Sequence, residues 1–188
     1  MIALTFDDGP DPVWTPRLLD LLAMIGARAT FFVIAPRAAR HPELIARMSA
    51  EGHSIGLHCD EHVRHSSRSI EWGRNDTSRA LGRLRTAGAT PSLWRTPWGD
   101  LAWWSGHVAR ERALRLVHWT VDTHDWRGDR AKQMFEAARD RLQHGAVVLA
   151  HDGTGPGARR SDAAQTLGFV ELAAEHARAK GLELESLV

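Results

Sequence analysis

The chain has 188 residues, of which 43% are hydrophobic and 25% are charged, as is usual for one globular domain with a full core. Its formal net charge of +1 gives no reason to expect a nucleic-acid or anionic-membrane partner. The single cysteine, Cys59, excludes an internal disulfide framework. No apolar run could span a bilayer, and the first residues lack a basic segment followed by an apolar one. From the sequence as given, we expect one cytoplasmic domain over residues 1–188, or an extracellular domain if an export signal has been trimmed away.

The amino-terminal stretch is the most informative part of the chain. Residues 2–6 predict a short buried strand that stops where two adjacent carboxylates, Asp7 and Asp8, begin. Gly9 and Pro10 then turn the backbone. Two neighbouring carboxylates repel each other unless a cation shares the site, so the pair indicates one metal ligand beside one free base. For an isolated Asp pair, the alternative is an Asx-turn that caps a loop.

Further along, hydrophobic periodicity with Gly and Pro at the boundaries predicts alternating strands and helices. The predicted strands are 29–34, 54–57, 92–95, 116–121, 146–150 and 182–187, and the predicted helices are 15–25, 42–51, 77–87, 103–112, 131–142 and 164–180. This alternation is typical of a mostly parallel α/β fold. Polar residues follow five strand ends, which favours the rim of a barrel over the single switch point of an open sheet. The expected fold is a distorted (β/α) barrel with about seven parallel strands.

A histidine pair follows the strand predicted at 54–57. His58 and His62 are four residues apart, a spacing that lets two imidazoles on a helical turn face one cation. Together with Asp8 they make two histidines and a carboxylate, a usual catalytic zinc set that leaves a position open for water. Zinc there lowers the pKa of the water towards about 7 and makes it a nucleophile at neutral pH.

The same segment also fits the H-x-x-E-H pattern of inverted zinc peptidases, with Glu61 as the general base. That mechanism requires all five residues to lie in a sustained helix. Gly52 and Gly56 lie just upstream of His58, and residues 54–57 are predicted to form an extended strand. The peptidase interpretation is therefore disfavoured.

Three more polar clusters follow predicted strands, at 94–99 (WRTPWG), 122–126 (DTHDW) and 149–152 (LAHD). Arg95 supplies a fixed cation before a tight turn, and such a turn can aim backbone N–H groups at a developing oxyanion. A histidine close to a buried aspartate is a tuned acid–base pair, because the carboxylate favours the imidazolium. Taken singly, Arg95 could form an ordinary ion pair, Trp126 could belong to the core and His151 could simply end a strand.

In combination, these motifs resemble the polysaccharide deacetylase family, carbohydrate esterase family 4, over essentially the whole chain, in a form similar to the chitooligosaccharide deacetylases. The matching segments are TFDDGP at 5–10, ATFFV at 29–33, EGHSIG at 51–56, the H-x-x-x-H pair at 58–62, R-x-P-x-G at 95–99, D-x-x-D-W at 122–126 and L-x-H at 149–151. The resemblance implies a distorted barrel and metal-dependent hydrolysis of an N-acetyl group, usually on an amino sugar, by a metal-bound water.

The resemblance also implies a role for each matching residue. The implied ligands of a divalent metal are Asp8, His58 and His62, with zinc expected and cobalt, nickel or manganese as alternatives. Asp7 would be the general base, held by Arg95. His151 would protonate the leaving amine, with its pKa tuned by Asp125.

The implied substrate contacts are Pro97, Trp98, Trp126 and Leu149, and the backbone N–H of Trp98 would help to stabilise the oxyanion. The chain departs from the usual family pattern at Leu57, Cys59, Val63, Thr96 and Trp98. None of these departures removes an implied ligand or acid–base group, so activity is expected, but they reshape the groove beside the metal. Cys59 could be a buried thiol or an additional metal ligand.

We therefore expect an N-deacetylase whose partner is an N-acetylated carbohydrate, either a peptidoglycan- or chitin-like oligosaccharide or a small soluble amino sugar. Two alternatives stay open: an amidase for a small non-sugar amide, and a non-catalytic carbohydrate-binding module on the same scaffold. Trp103 and Trp104 could stack on a sugar ring or pack in the core. Three histidines, His65, His107 and His124, have no assigned role.

Overall fold

The computed structural model describes residues 1–188 and contains seven strands, each paired with its neighbours in parallel. The strands are β1 (Ala3–Asp7), β2 (Thr30–Ile34), β3 (Ser54–Cys59), β4 (Leu93–Trp94), β5 (Arg115–Leu116), β6 (Val121–Asp122) and β7 (Val147–His151). They form one sheet in the order β5-β4-β3-β2-β1-β7-β6. Strands β1 and β2 are buried along their whole length, as expected for a sheet that is covered on both faces.

Helices connect most of these strands. They are α1 (Trp14–Ile25), α2 (Ala35–Arg40), α3 (Pro42–Ala50), α4 (Ile70–Thr86), α5 (Ser105–Glu111), α6 (Ala131–Ala138) and α7 (Ala164–Ala179). Helix α1 buries Leu18, Leu19 and Leu22 against the sheet and ends at Gly26, whose φ of 68° gives a left-handed cap that glycine adopts at little cost. None of the seven helices has the length and hydropathy needed to cross a membrane.

The sheet curls into a distorted half-barrel, which confirms the predicted fold class. Strands β5 and β6 follow one another in the chain but lie at opposite edges of the sheet, so the predicted single strand 116–121 is wrong. The residues between them cross from one edge to the other. Arg95 lies inside this crossing and donates hydrogen bonds to the carbonyls of Val117 (3.3 Å) and His118 (3.2 Å). The Arg95 side chain thus ties the start of this crossing to the end of β4.

The strand predicted at 182–187 is also wrong. Leu184 forms only an isolated bridge with Ile2, and the Leu187 N–H donates to the Thr30 hydroxyl at 2.9 Å. The Ser54 hydroxyl in turn donates to the Leu187 carbonyl at 2.6 Å. Because Ile2, Thr30 and Ser54 stand at the beginnings of three adjacent strands, the carboxyl-terminal segment runs across the amino ends of the sheet instead of alongside a strand.

One helix starts at a different residue from the predicted one, and another helix has no counterpart in the sequence prediction. Helix α4 starts at Ile70, well before the predicted start at 77, because the Ser69 side chain accepts a hydrogen bond from the Trp72 N–H and caps the first turn. Helix α2 was not predicted at all. It follows β2 without a loop and has Pro36 in its first turn, a position that proline tolerates.

Candidate active site

The carboxyl ends of the strands surround a cavity of about 420 Å³. The predicted site residues that line it are Asp7, Asp8, His58, His62, Trp98, Trp126, Leu149 and His151. Arg95 and Asp125 are buried behind this lining, at 1% and 2% exposure. Residues from five segments that are far apart in the sequence thus meet in one place, as the barrel prediction required.

Three metal-ligating side chains lie together at the floor of the cavity. Oδ1 of Asp8 is 3.4 Å from Nε2 of His58 and 3.2 Å from Nε2 of His62, and one ligand atom from each residue lies within 4.8 Å of the others. His58 belongs to β3 and His62 to the loop after it, so the predicted helical turn is wrong, although the two imidazoles and Asp8 do lie together. The H-x-x-E-H interpretation fails for the same reason, and Glu61 bonds Arg79 at 2.7 Å.

The protonation of these groups shows why they fit a cation. Nδ1 of His58 lies 2.8 Å from the Arg95 carbonyl, which can only accept, so this nitrogen carries the hydrogen. In the neutral imidazole, Nε2 therefore turns a lone pair towards Asp8. Oδ1 of Asp8 is buried and accepts no hydrogen bond of good geometry. Lone pairs that converge in a buried site repel one another unless a cation lies between them, and a carboxylate with two imidazoles is a usual zinc set.

The Asp8 carboxylate is ionised at neutral pH. Burial by itself raises its pKa, but when Nε2 of His58 and of His62 carries a proton in place of a cation, their contacts with Asp8 outweigh burial and hold the pKa well below its usual range. Asp8 also has a φ of 72°, a left-handed conformation that aspartate tolerates better than most residues. Successive side chains of a strand point to opposite faces, and this turn is what lets Asp7 and Asp8 face the same cavity.

Asp7 is held by the buried Arg95 guanidinium. Nη1 of Arg95 donates to Oδ1 of Asp7 at 2.8 Å and to the Thr5 hydroxyl at 2.7 Å. The guanidinium carbon also lies 4.2 Å from the centre of the Phe32 ring, which fixes the plane of the group. The Asp7 carboxylate therefore has a fixed direction and a positive charge beside it, although it still lines the cavity.

His151 forms the second charged pair of the site. Its Nδ1 lies 2.7 Å from Oδ1 of Asp125, while the Thr166 hydroxyl donates to Oδ2 of the same carboxylate at 2.8 Å. Burial lowers the pKa of His151, but Asp125, with smaller contributions from Asp8 and Asp7, outweighs burial and raises the pKa to about 9. Burial raises the pKa of Asp125, and His151 with Arg160 reverses this and lowers it. The structure thus holds a protonated imidazole beside an ionised carboxylate at neutral pH.

The walls of the cavity are aromatic and aliphatic. Trp98 has a φ of 56° and is 41% exposed, and its ring centre lies 4.3 Å from that of His62. Leu149 and Trp126 line the same space. Pro97 is buried and does not line the cavity, so its predicted contact with substrate is indirect in this structure.

Several lining residues were not predicted from the sequence. They are Arg64, Trp119, Asp122, Arg160 and the segment 153–158 apart from Thr154. The signal for the segment was present, because GTGPG directly after the LAHD motif is a run of turn-forming residues that lets backbone approach the site closely. Trp119 was placed in a strand, and Arg64 lay in an arginine-rich stretch with no other pattern.

The residues to which the sequence analysis assigned no role lie outside the cavity lining. His65 is buried and stacks on Trp104, with ring centres 5.0 Å apart. His107 pairs with Glu111 at 3.0 Å, and Nδ1 of His124 lies 3.1 Å from Asp122. Trp104 therefore belongs to the core.

Trp103, by contrast with the buried Trp104, is 86% exposed and does not belong to the core.

Cys59 is buried, and burial raises the pKa of its thiol well above the usual range, which favours the thiol over a metal-binding thiolate. A second acidic group, Asp60 with Glu61 and Asp76, already pairs with arginine: Nε of Arg79 lies 2.9 Å from Asp60.

Comparison with known proteins agrees with this geometry. Residues 1–117 match the family model described as polysaccharide deacetylase, and the chain belongs to that family. It is 38% identical over 165 residues to a chitooligosaccharide deacetylase of Bradyrhizobium, a match that covers 85% of this chain and 74% of the relative. It is 36% identical over 157 residues to a peptidoglycan-N-acetylglucosamine deacetylase of Bacillus cereus, covering 82% of this chain and 56% of the relative.

The solved structures extend the comparison past residue 117. A family 4 carbohydrate esterase from Streptomyces lividans, determined in complex with acetate, superposes with a TM-score of 0.87 at 30% identity. The superposition covers 97% of this chain and 90% of the esterase chain. The likeness therefore includes the part of the barrel that carries Asp125 and His151.

Proposed function

We propose that this chain is a metal-dependent hydrolase that removes N-acetyl groups from N-acetylated amino sugars. The observation that carries the proposal is the pairing of Asp7 with His151 in the register of β1 and β7. It places a carboxylate and a protonated imidazole on adjacent strand ends, in the same cavity as the Asp8, His58 and His62 set. Amide hydrolysis needs such a base, such an acid and an electrophilic centre together.

The ligands of the metal are Asp8, His58 and His62, and the ion proposed is zinc. A carboxylate with two imidazoles is a usual catalytic zinc set, and the unpartnered Oδ1 of Asp8 supports it. When bound, zinc would polarise the amide carbonyl and make water a better nucleophile.

Asp7 acts as the general base and accepts a proton from the attacking water. Its carboxylate can do so because Arg95 fixes its direction and does not supply a proton itself. Arg95 is thus a positioning residue for the base. As negative charge develops on the amide oxygen, the backbone N–H of Trp98 donates to it from a turn in the cavity wall.

His151 acts as the general acid. It gives its proton to the amide nitrogen so that the amine can leave, and Asp125 keeps the imidazole protonated until that step. Leu149 and Trp126 enclose the acetyl methyl group, while Pro97 supports the turn that carries Trp98. Residues 1–188 act as one catalytic domain.

The proposed substrate is an oligosaccharide of N-acetylglucosamine. The names of the Bradyrhizobium and Bacillus cereus relatives support this class, since both describe deacetylation of N-acetylated sugar polymers or oligomers. The half-exposed Trp98 at the cavity wall is suited to stacking on a sugar ring.

Acetate release is the experiment that tests this proposal. The purified chain, loaded with zinc, is incubated with N-acetylglucosamine tetramer, with N-acetylglucosamine and with simple acetamides, and acetate is measured over time. The proposal expects the tetramer to be the best substrate and Asp7→Asn to slow release by about 10²–10⁴. Release from the acetamides alone would favour the amidase alternative. Binding of the tetramer without any release would favour the carbohydrate-binding module.

A further inference from the structure

The side chain of Arg37 joins two parts of the site that are far apart in the sequence. Its Nη1 donates to the backbone carbonyl of Asp8 at 2.8 Å, and its Nη2 donates to the backbone carbonyl of Thr154 at 2.9 Å. Arg37 belongs to helix α2, and Thr154 to residues 153–157, which we call the glycine loop. A planar guanidinium can hold two carbonyls in fixed directions, whereas the ammonium of lysine is a single point of charge.

The bond to Asp8 is placed where the backbone needs support. Asp8 has a φ of 72°, a left-handed conformation that is uncommon for residues other than glycine, although aspartate tolerates it better than most. The carbonyl that Arg37 binds belongs to this same residue. Arg37 thus contacts the backbone that carries the Asp8 carboxylate towards His58 and His62.

The glycine loop packs directly against Asp8. A Cβ atom on Gly153 would lie 2.7 Å from the Asp8 carbonyl oxygen, and one on Gly155 would lie 2.1 Å from Oδ2 of Asp8, closer than real Cβ contacts. The far side of the loop is held by Arg160, whose Nη2 donates to the carbonyls of His151 (2.9 Å) and Gly153 (2.8 Å). Asp8 and the glycine loop are therefore packed so closely that a side chain on Gly153 or Gly155 would displace one of them.

We propose that Arg37 is a positioning residue that couples the metal ligand Asp8 to the glycine loop. It orients the carboxylate for the cation and holds the loop as a wall of the cavity; the metal side of this inference rests on the proposed function. Because coupling between two sites is reciprocal, a cation at Asp8 stabilises the loop, and an ordered loop strengthens binding of the cation.

Zinc affinity and proteolysis of the loop test this coupling without any measurement of activity. Arg37→Gln removes the charge and one arm of the guanidinium, and Arg47→Ala is the control, since Arg47 pairs with Asp20 and Glu51 elsewhere. Competition with a chromophoric chelator should show a zinc dissociation constant about 10–100-fold higher for Arg37→Gln, as for losses of other outer-shell partners, and unchanged for Arg47→Ala. Arg37→Lys should fall between Arg37→Gln and the unmodified chain.

Trypsin reports on the loop, because the exposed Arg159 lies two residues after its last residue, Gly157. With chelator present, trypsin should cleave after Arg159 faster in Arg37→Gln than in the unmodified chain or in Arg47→Ala, and mass spectrometry measures this rate. Zinc should slow this cleavage strongly in the unmodified chain and weakly in Arg37→Gln. Equal zinc dissociation constants and equal cleavage rates in all three proteins would overturn the proposal.

A second variant keeps the test decisive if Arg37→Gln folds poorly. Gly155→Ala leaves Arg37 in place but puts a methyl group against the Asp8 carboxylate, so zinc binding should weaken as well. Gly82→Ala is its control, since a Cβ atom there meets nothing within 4 Å. Wild-type zinc affinity in Gly155→Ala and Arg37→Lys would reject the coupling. A chain that shows these effects but releases no acetate would refute the proposed function and leave the coupling standing.

Discussion

Nδ1 of His151 lies 2.7 Å from Oδ1 of Asp125, and the backbone N–H of His151 donates to Oδ2 of the same carboxylate at 2.9 Å. One carboxylate therefore fixes both the ring and the main chain of the proposed general acid. It also overcomes the effect of burial on the imidazole, so that the pKa of His151 is about 9.

Asp125→Asn should move the alkaline limb of the pH–rate profile to lower pH. The substitution removes the carboxylate charge but leaves burial in place, so the pKa of His151 falls from about 9 to near or below its ordinary value of 6.5. The acid is active only when protonated, and a fall in its pKa from about 9 to 6.5 lowers the protonated fraction at pH 8 from about nine-tenths to about 3%, so we expect kcat at pH 8 to fall by about 30-fold or more. The kcat profile between pH 5 and 10 and an NMR titration of His151 in the metal-free protein measure this shift. Asp140→Asn, at a carboxylate that is 91% exposed, is the control and should leave the limb in place.

Asp7→Asn should separate catalysis from metal binding. The amide cannot take a proton from water, so kcat should fall by about 10²–10⁴, while zinc content stays at the level of the unmodified chain. Elemental analysis and acetate release are measured on the same sample. Turnover retained in this variant would remove Asp7 from the role of base, and loss of zinc would make it a ligand.

His58→Ala should release the metal ion. Its Nε2 is one of the three converging ligand atoms, and a single imidazole with a carboxylate holds zinc poorly. His107→Ala is the matched control, because that exposed imidazole pairs only with Glu111 on its own helix. Full zinc occupancy in His58→Ala after dialysis would refute the ligand assignment.

Asp152→Asn should stabilise the metal-free protein above pH 7. The carboxyl group is buried, and burial raises its pKa to about 7, although the Thr15 hydroxyl that donates to it at 2.5 Å lowers the pKa. The folded chain thus keeps a proton that the unfolded chain releases near 3.8, so stability falls as pH rises from 3.8 to about 7.

An asparagine cannot ionise, so the variant does not lose stability between pH 3.8 and about 7 from this position. At pH 8 the variant should gain on the order of 2–4 kcal/mol in the free energy of unfolding, with a smaller gain at pH 5. Urea unfolding with chelator present, at both pH values, measures the difference. An equal gain at the two pH values would show that ionisation of Asp152 is not the cause.

The sequence predicted the strands that carry the site because their signals are local. An apolar run such as 29–34 must be buried on both sides, and a polar residue directly after such a run must lie at the edge of the sheet. Parallel strands bring those edges together, so the meeting of Asp8, His58 and His151 follows from pattern and topology alone.

The remaining features depend on contacts with residues that are distant in the sequence, which a local pattern cannot predict. The segment 116–121 alternates like a strand, but its two ends pair with β4 and β7 at opposite edges of the sheet. Leu182 and Leu184 alternate with glutamates as in a strand, but they only pack against the core, and Leu184 forms no more than an isolated bridge. Helix α2, and with it Arg37, was missed because a proline two residues after a strand usually signals a turn.

The most direct test of the central claim is titration of the chelator-stripped chain with zinc while acetate release from N-acetylglucosamine tetramer is followed. The geometry predicts that release begins near zero, rises in proportion to added zinc and levels off at one ion per chain, with His58→Ala flat throughout. Full release by the stripped chain, or by His58→Ala, would contradict the account.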